Sequence, residues 1–408
     1  MFLKKLFVVF SIVMFLNTYS NEMVHNNYEL PLFIKFPKLK KNIPYIPFCT
    51  LPTPIIKLNL FSKILNLYKS GYNNIYMKCD FISGTKLDNG NYLYGGNKPR
   101  KLCFLLADAI KKNAKTIITY GKAGSNHALA TAVYANQLGL KSILMLKDQP
   151  NSPIVRQNLL LDFYNNAQLK YFSSSQQRNI AKDDLLKQDN LSYFIPLGGS
   201  NELGVLGFVN AALELKEQIN SEIIPEPDYI YVAAGSFGTI AGLLLGMKIA
   251  NLKSKIIAVA VEPEEFPDQI KNITKDLFLK TNNFLYSLDN SIKLFDFPEE
   301  RLIIYKKFCS TGYGLYTQED KEIIKLFKEI EQVDIEGTYS SKPICAIKYD
   351  LMFGSWKKEK ITKKNIILFW NTYCGLDFSN LTKSINYKDL PIEFHKYFED
   401  NIGLLNKY

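Results

Sequence analysis

Twice along this chain a β-branched run of strand length empties into a glycine turn, and each turn opens into a helix that returns to another apolar run. In the first copy Thr116-Ile117-Ile118-Thr119-Tyr120 leads through Gly121-Lys122-Ala123-Gly124-Ser125-Asn126-His127 into an alanine-rich helix ending near Leu138, then a strand over residues 142–146. In the second, a strand over 229–234 meets Gly235-Ser236-Phe237-Gly238-Thr239, a helix over 240–250 and a strand over 256–261. A helix between two strands is a crossover, so the strands run parallel, and parallel sheets are buried on both faces. The fold class is therefore α/β, with open twisted parallel sheets and helices on both faces. Ligands in such folds sit beyond the carboxyl ends of the strands, where both glycine turns fall. A chain of 408 residues has room for one large or two moderate domains.

A third glycine turn is the most telling chemically: Tyr94-Gly95-Gly96-Asn97-Lys98-Pro99-Arg100-Lys101-Leu102. Pro99 suits a first helical position, where its missing N–H costs nothing, and Asn97 is a permissive turn residue before it. Leu102, Leu105, Leu106, Ala109 and Ile110 then recur at three- and four-residue steps, so one helix face packs inward. Lys98 is held at the rim of a core, where loss of solvent lowers an amine's pKa and makes it a nucleophile toward a carbonyl. Taken alone, a lysine near a helix start is most often a solvated charge.

The turn Gly235 to Thr239 joins a strand end to a helix whose free N–H groups point back at it, a geometry that attracts phosphate. Glu262, closing the next strand, raises a dinucleotide site as a rival, but the GxGxxG spacing is absent and a terminal phosphate fits better. Ser125, Asn126 and His127 offer a hydroxyl, an amide and an imidazole at another helix start, where serine and asparagine are also ordinary caps. Ile195-Pro196-Leu197-Gly198-Gly199-Ser200-Asn201-Glu202-Leu203-Gly204 reads as a tight turn with polar caps before a helix. Further strands and helices are expected over 74–78 and 60–68, with an irregular approach over 30–54.

The formal charge of +11 is spread along the chain, and clusters such as residues 357–364 lack the interleaved glycines and aromatics of a nucleic-acid platform. No nucleic-acid partner is expected. Lys4 and Lys5 precede an apolar run over residues 6–16 and then Thr18 and Ser20, the pattern of a signal peptide over residues 1–20. Export follows, with an uncleaved anchor as the weaker option and no stable membrane span after leader removal. The six cysteines form no CxxC pair, and three histidines without HExxH argue against a metal site.

Together, the lysine in Gly95-Gly96-Asn97-Lys98-Pro99-Arg100-Lys101-Leu102, the Ser125-Asn126-His127 turn, the Gly198-Gly199-Ser200-Asn201 turn and the Gly235–Thr239 loop resemble pyridoxal-phosphate enzymes of the tryptophan-synthase-β fold (fold type II). Within it they are most similar to D-cysteine desulfhydrases and 1-aminocyclopropane-1-carboxylate deaminases, from about Leu51 to Phe378. The resemblance implies a pyridoxal 5′-phosphate cofactor bonded to Lys98, Asn126 on the ring hydroxyl, and Ser125 near the substrate. It implies a phosphate cup of Gly235, Ser236, Gly238 and Thr239, and two active-site tyrosines, Tyr313 and Tyr339. Ser340 stands where the cyclopropane deaminases carry a glutamate facing the pyridine nitrogen and the desulfhydrases a small hydroxyl residue. That points to a carbon–sulfur lyase acting on a small amino acid of the D-cysteine kind, giving keto acid, ammonia and hydrogen sulfide. A ring-opening deaminase and a cofactor-binding homologue without turnover are the alternatives. A small domain over 111–207 would close on a larger one over 21–110 and 208–408, in a homodimer. The chain departs from the family at Cys79 and Phe81, where an arginine and an acid are usual near the entrance. It departs again at Phe237, which replaces a glycine, and at Asn371-Thr372-Tyr373-Cys374, which stands for a His-Thr-Gly-Gly turn.

Overall fold

The computed structural model describes residues 28–68, 71, 73–87, 89–262, 267–354 and 361–402; the leader expected over 1–20 lies outside them. Ten strands among these residues form two sheets. The larger is built from β1 (Ile55–Lys57), β2 (Ile75–Cys79), β7 (Tyr229–Ala234), β8 (Lys255–Ala260), β9 (Leu302–Tyr305) and β10 (Ile367–Asn371), in the order β1-β2-β10-β7-β8-β9. The smaller is built from β3 (Thr116–Lys122), β4 (Lys141–Lys147), β5 (Gln168–Tyr171) and β6 (Ser192–Ile195), in the order β5-β4-β3-β6. Every pair is parallel except β1 with β2. The antiparallel edge departs from the all-parallel expectation, because β1 needs no crossover to pair with the outer side of β2.

Alternation within one strand supplies two cores. Ile230 and Val232 of β7 face the helices Lys98–Lys111, Glu202–Asn220 and Gly238–Ala250. Tyr229 and Tyr231 face the helices Asn59–Tyr68, Gln318–Ile330 and Ser341–Phe353. A strand with both faces buried has to be apolar throughout, which is why residues 229–234 read as a continuous run. The smaller sheet packs Leu144 and Leu146 against Ala128, Ala132, Val155 and Leu159.

Two expectations change. The stretch over 30–54 holds the short helices Pro31–Lys35 and Pro37–Asn42, each with proline in its first turn, so the prolines start helices here. The C-terminal stretch, expected with the larger domain, packs on the smaller sheet instead. Leu390, Phe394 and Tyr397 are buried against its helices, and the Tyr397 hydroxyl donates to Asp148 at 2.8 Å.

Candidate active site

Five strands, β3, β6, β7, β8 and β10, end around one cavity of about 330 Å³ that also meets the start of the Lys98–Lys111 helix. The sequence-predicted residues Lys98, Ser125, Asn126, Gly235, Ser236, Thr239, Tyr313 and Tyr339 all line it.

Lys98 opens its helix and is half-buried in the cavity wall. Its amine makes no hydrogen bond or ion pair among the described residues, and loss of solvent brings its pKa from 10.5 down to about 8. The turn before it is fixed to its neighbours. Gly96 has φ +83°, and a side chain there would press on the Thr372 carbonyl at 2.7 Å. The Asn97 N–H donates to that same carbonyl at 3.0 Å, and Asn97 Nδ2 donates to Thr239 Oγ1 at 3.1 Å.

Behind the lysine lies a buried ionic network. Arg100 donates to both Asp80 and Glu214 at 2.8 Å, Lys78 Nζ reaches Glu214 at 2.6 Å, and Trp370 Nε1 donates to Asp80 at 2.8 Å. Two cations against two carboxylates leave no net charge in the core, and removing one partner of such a set typically costs about 3–5 kcal/mol. The network corrects one expectation. Lys78 and Asp80 belong to it, whereas Cys79 is buried in the opposite core and Phe81 packs against that core. Neither lines the cavity, so their departures from the family leave the entrance unaltered.

Opposite Lys98 is an anion cup. The Thr239 and Ile240 N–H groups fall in the first turn of the Gly238–Ala250 helix, where N–H groups have no acceptor inside the helix. Lys101 Nζ, fully buried, donates to the Gly198 carbonyl and Ser200 Oγ at 3.0 Å each, and Ser200 Oγ donates to Ser236 Oγ at 2.9 Å. Burial first and the neighbouring Lys98 charge second hold the Lys101 pKa well below 10.5. Gly238 is not part of the lining, but a Cβ there would sit 2.5 Å from Ser200 Oγ and 2.8 Å from Lys101 Nζ, so any larger residue would displace the two side chains that build the cup. Phe237 adopts φ +60° at the tip of the turn, in the left-handed region that its β-carbon disfavours.

The smaller sheet supplies the third wall. Ser125 caps its helix by accepting from the Ala128 N–H, which leaves its own proton to give. Asn126 Oδ1 accepts from the Tyr94 hydroxyl and from Asn158 Nδ2, both at 3.0 Å. Asn158 is itself fixed by donating to the Gly124 carbonyl, so the Asn126 amide is oriented with Nδ2 as the group left to donate. His127 is buried, with Nε2 3.0 Å from Thr119 Oγ1, and burial beside Lys98 and Lys101 holds it neutral. At the mouth the Tyr313 and Tyr339 hydroxyls are 2.6 Å apart, both held well above 10 by burial, and Lys122 lies 3.7 Å over the Tyr313 ring while pairing with Glu262 at 3.1 Å.

Ser340 is the predicted residue the structure places elsewhere. Its backbone is already helical, and successive residues in such a turn point about 100° apart, so with Tyr339 on the cavity Ser340 turns inward. Its hydroxyl accepts from the Glu336 N–H at 2.7 Å, and the Glu336 carboxylate is occupied by the N–H groups of Thr338, Tyr339 and Ser340. Sequence reasoning missed Lys101, Ser200, Asn97 and Tyr94. Only Lys101 carried a local signal, its three-residue step from Lys98 along one helix.

The walls fit a phosphorylated aromatic aldehyde. A low-pKa amine would face the aldehyde, an oriented amide N–H a ring oxygen, and the buried Lys101 amine with two hydroxyls and a helix start the phosphate. The comparisons agree. The family model described as pyridoxal-phosphate-dependent enzyme matches residues 47–362. The bifunctional D-cysteine desulfhydrase/1-aminocyclopropane-1-carboxylate deaminase, mitochondrial, of Arabidopsis thaliana is 32% identical over 342 residues, 79% of this chain and 76% of that protein. A Thermotoga maritima protein named as a candidate 1-aminocyclopropane-1-carboxylate deaminase is 33% identical over 302 residues, covering 71% of this chain and 86% of the other. A solved structure described as an ACC deaminase homologue superposes with a TM-score of 0.67 at 27% identity, over 89% of this chain and 98% of that one.

Proposed function

The chain belongs to the pyridoxal-phosphate-dependent enzyme family, and from that premise we propose that it is a carbon–sulfur lyase acting on a small amino acid of the D-cysteine kind. The reaction consumes one water and releases keto acid, ammonia and hydrogen sulfide. The observation that carries this reading is a lysine of pKa about 8, without a hydrogen-bond or ion-pair partner among the described residues, in one cavity with an anion cup.

Bound pyridoxal phosphate supplies an aldehyde for an amine to attack and a conjugated ring that draws electrons away from Cα. Lys98 Nζ, neutral in a useful fraction near pH 7 because burial brings its pKa to about 8, would hold that aldehyde and, once freed, would be the base placed for the Cα proton. Lys101, Ser200, Ser236 and Thr239 would hold the phosphate, and Asn126 Nδ2 would hold the ring oxygen. Ser125 Oγ keeps a proton for the substrate carboxylate or for relay to Lys98. Tyr313 and Tyr339 share one hydrogen bond, so one phenol proton of the pair is left to meet the departing sulfur. The walls come from both sheets, so closure of the smaller unit on the larger excludes water and is part of this proposal, as is a homodimer, to be weighed by light scattering. Export through the leader rests on Lys4, Lys5 and the apolar run, and is tested by the N-terminal residue of the protein recovered from its own cells.

Ring opening of 1-aminocyclopropane-1-carboxylate is the second reading, favoured by the names of the relatives. Purified protein is assayed for hydrogen sulfide from D- and L-cysteine and for ammonia from the cyclopropane acid. The visible spectrum of the wild type is compared with that of Lys98→Ala, and borohydride is used to trap the cofactor on the Lys98 peptide. A lysine-bound chromophore with no turnover on any amino acid marks the homologue without turnover. A cofactor trapped on another lysine overturns the site.

A further inference from the structure

Tyr373 stands in the turn after β10, at a position where the resemblance drawn from the sequence leads one to expect glycine. It lines the active cavity, and among the described residues it is the one side chain that also lines a second space of about 810 Å³. That space lies between the start of the Pro153–Tyr164 helix and the Gln318–Ile330 helix; Ile154, Ile324, Ile335 and Leu376 give its lining an apolar part, beside charged residues such as Lys325 and Asp334. The active cavity, at about 330 Å³, is at the small end of the range for ligand sites, about 300–1,000 Å³. The turn is anchored on either side of the ring: the Tyr373 N–H donates to Asn371 Oδ1 at 3.3 Å, and a Cβ on Gly375 would meet the Asp334 carbonyl at 2.4 Å. The phenol is held neutral by burial and by Glu336, so it does not swing out as a charged group.

We infer that Tyr373 is a partition that sets substrate size, closing the active cavity off from the second space so that only amino acids with a β-substituent of one or two heavy atoms fit. This inference rests on the lyase reading for the identity of the substrate and on geometry for the size limit. With the ring gone, an aromatic or long apolar side chain extends into the second space, where Ile335 and Leu376 cover it.

The test separates binding from turnover. Apoprotein is titrated by calorimetry with reduced phosphopyridoxyl conjugates of alanine and of phenylalanine, each as both enantiomers, for the wild type, Tyr373→Phe and Tyr373→Gly. The wild type and Tyr373→Phe are expected to favour the alanine conjugate. Tyr373→Gly is expected to move the ratio toward the phenylalanine conjugate by at least about 10- to 200-fold, the range that a single methylene contributes in a hydrophobic pocket. Should the glycine variant not fold, Tyr373→Leu is read by the same ratio. A ratio unchanged by either replacement, or a wild type that binds both conjugates equally, overturns the partition. Size discrimination without any hydrogen sulfide release sinks the lyase reading and supports the partition; elimination from cysteine without size discrimination does the reverse.

Discussion

Lys98 in the cofactor-free protein should titrate far below an ordinary lysine. The drop from 10.5 to about 8 has one cause, burial away from water. At pH 7 an amine of pKa 8 is about 9% neutral and one of pKa 10.5 about 0.03% neutral, so the cavity raises the reactive fraction about 300-fold. Trace acetylation of the apoprotein across pH 6 to 11, read by mass spectrometry of the Lys98 peptide against exposed lysines in the same sample, measures this directly. The Lys98 rate should level off above about pH 8 while the exposed lysines continue to climb toward pH 10 and beyond. Inorganic phosphate in the cup adds negative charge near the amine and should move the midpoint upward. Stability carries the same signature. The folded pKa lies below the unfolded one, so Lys98 imposes a penalty that is fully present below about pH 8 and fades as the pH rises toward 10.5. A midpoint at or above 10 in the apoprotein would refute desolvation as the source of the nucleophile.

Three further outcomes are expected. Lys101→Met removes one charge-assisted hydrogen bond to the phosphate, about 1.5–3 kcal/mol, and should weaken cofactor binding about 10- to 150-fold in equilibrium dialysis. Unchanged affinity would exclude Lys101 from the cup. Glu214→Gln should cost about 3–5 kcal/mol in urea unfolding at pH 7. The cations beside it hold the Glu214 pKa down to about 2, so the wild-type advantage should be full above pH 4.5 and shrink as the pH falls toward 2; a gap independent of acid would contradict the network. For the tyrosine pair, Tyr313→Phe and Tyr339→Phe should each leave part of the elimination rate. The double variant should lose about 10²- to 10⁴-fold in kcat, and a double variant no slower than either single one would deny them the proton-transfer role.

The parts of this molecule that were legible in its sequence are those fixed by neighbours along the chain. The runs over 229–234 and 116–120 declared buried strands because both faces of each strand need apolar side chains, and the glycine turns after them marked the strand ends where the cavity forms. Lys98 was legible for the same reason, since Pro99 and the leucine spacing set its helix without help from elsewhere. The direction of β1 was not, because it depends on the route of a connection and not on which residues make the strand. Ser200 and Asn97 were not, because each acquires its role only when separate turns meet, Asn97 with Thr239 across 142 residues and Ser200 with Ser236 across 36. The misjudged entrance at Cys79 and Phe81 shows the boundary between the two kinds of information. Period-two alternation already put Met77 and Cys79 on one face of β2 and Lys78 on the other, so their exclusion from the cavity was readable in principle. What alternation does not supply is that Arg100, two residues past Lys98, comes down on that second face to neutralise Asp80 and Glu214. The helix that presents the nucleophile is thus seated by an ionic core whose partners come from four separate segments, and the reactivity of Lys98 depends on contacts that its own neighbourhood in the sequence does not describe.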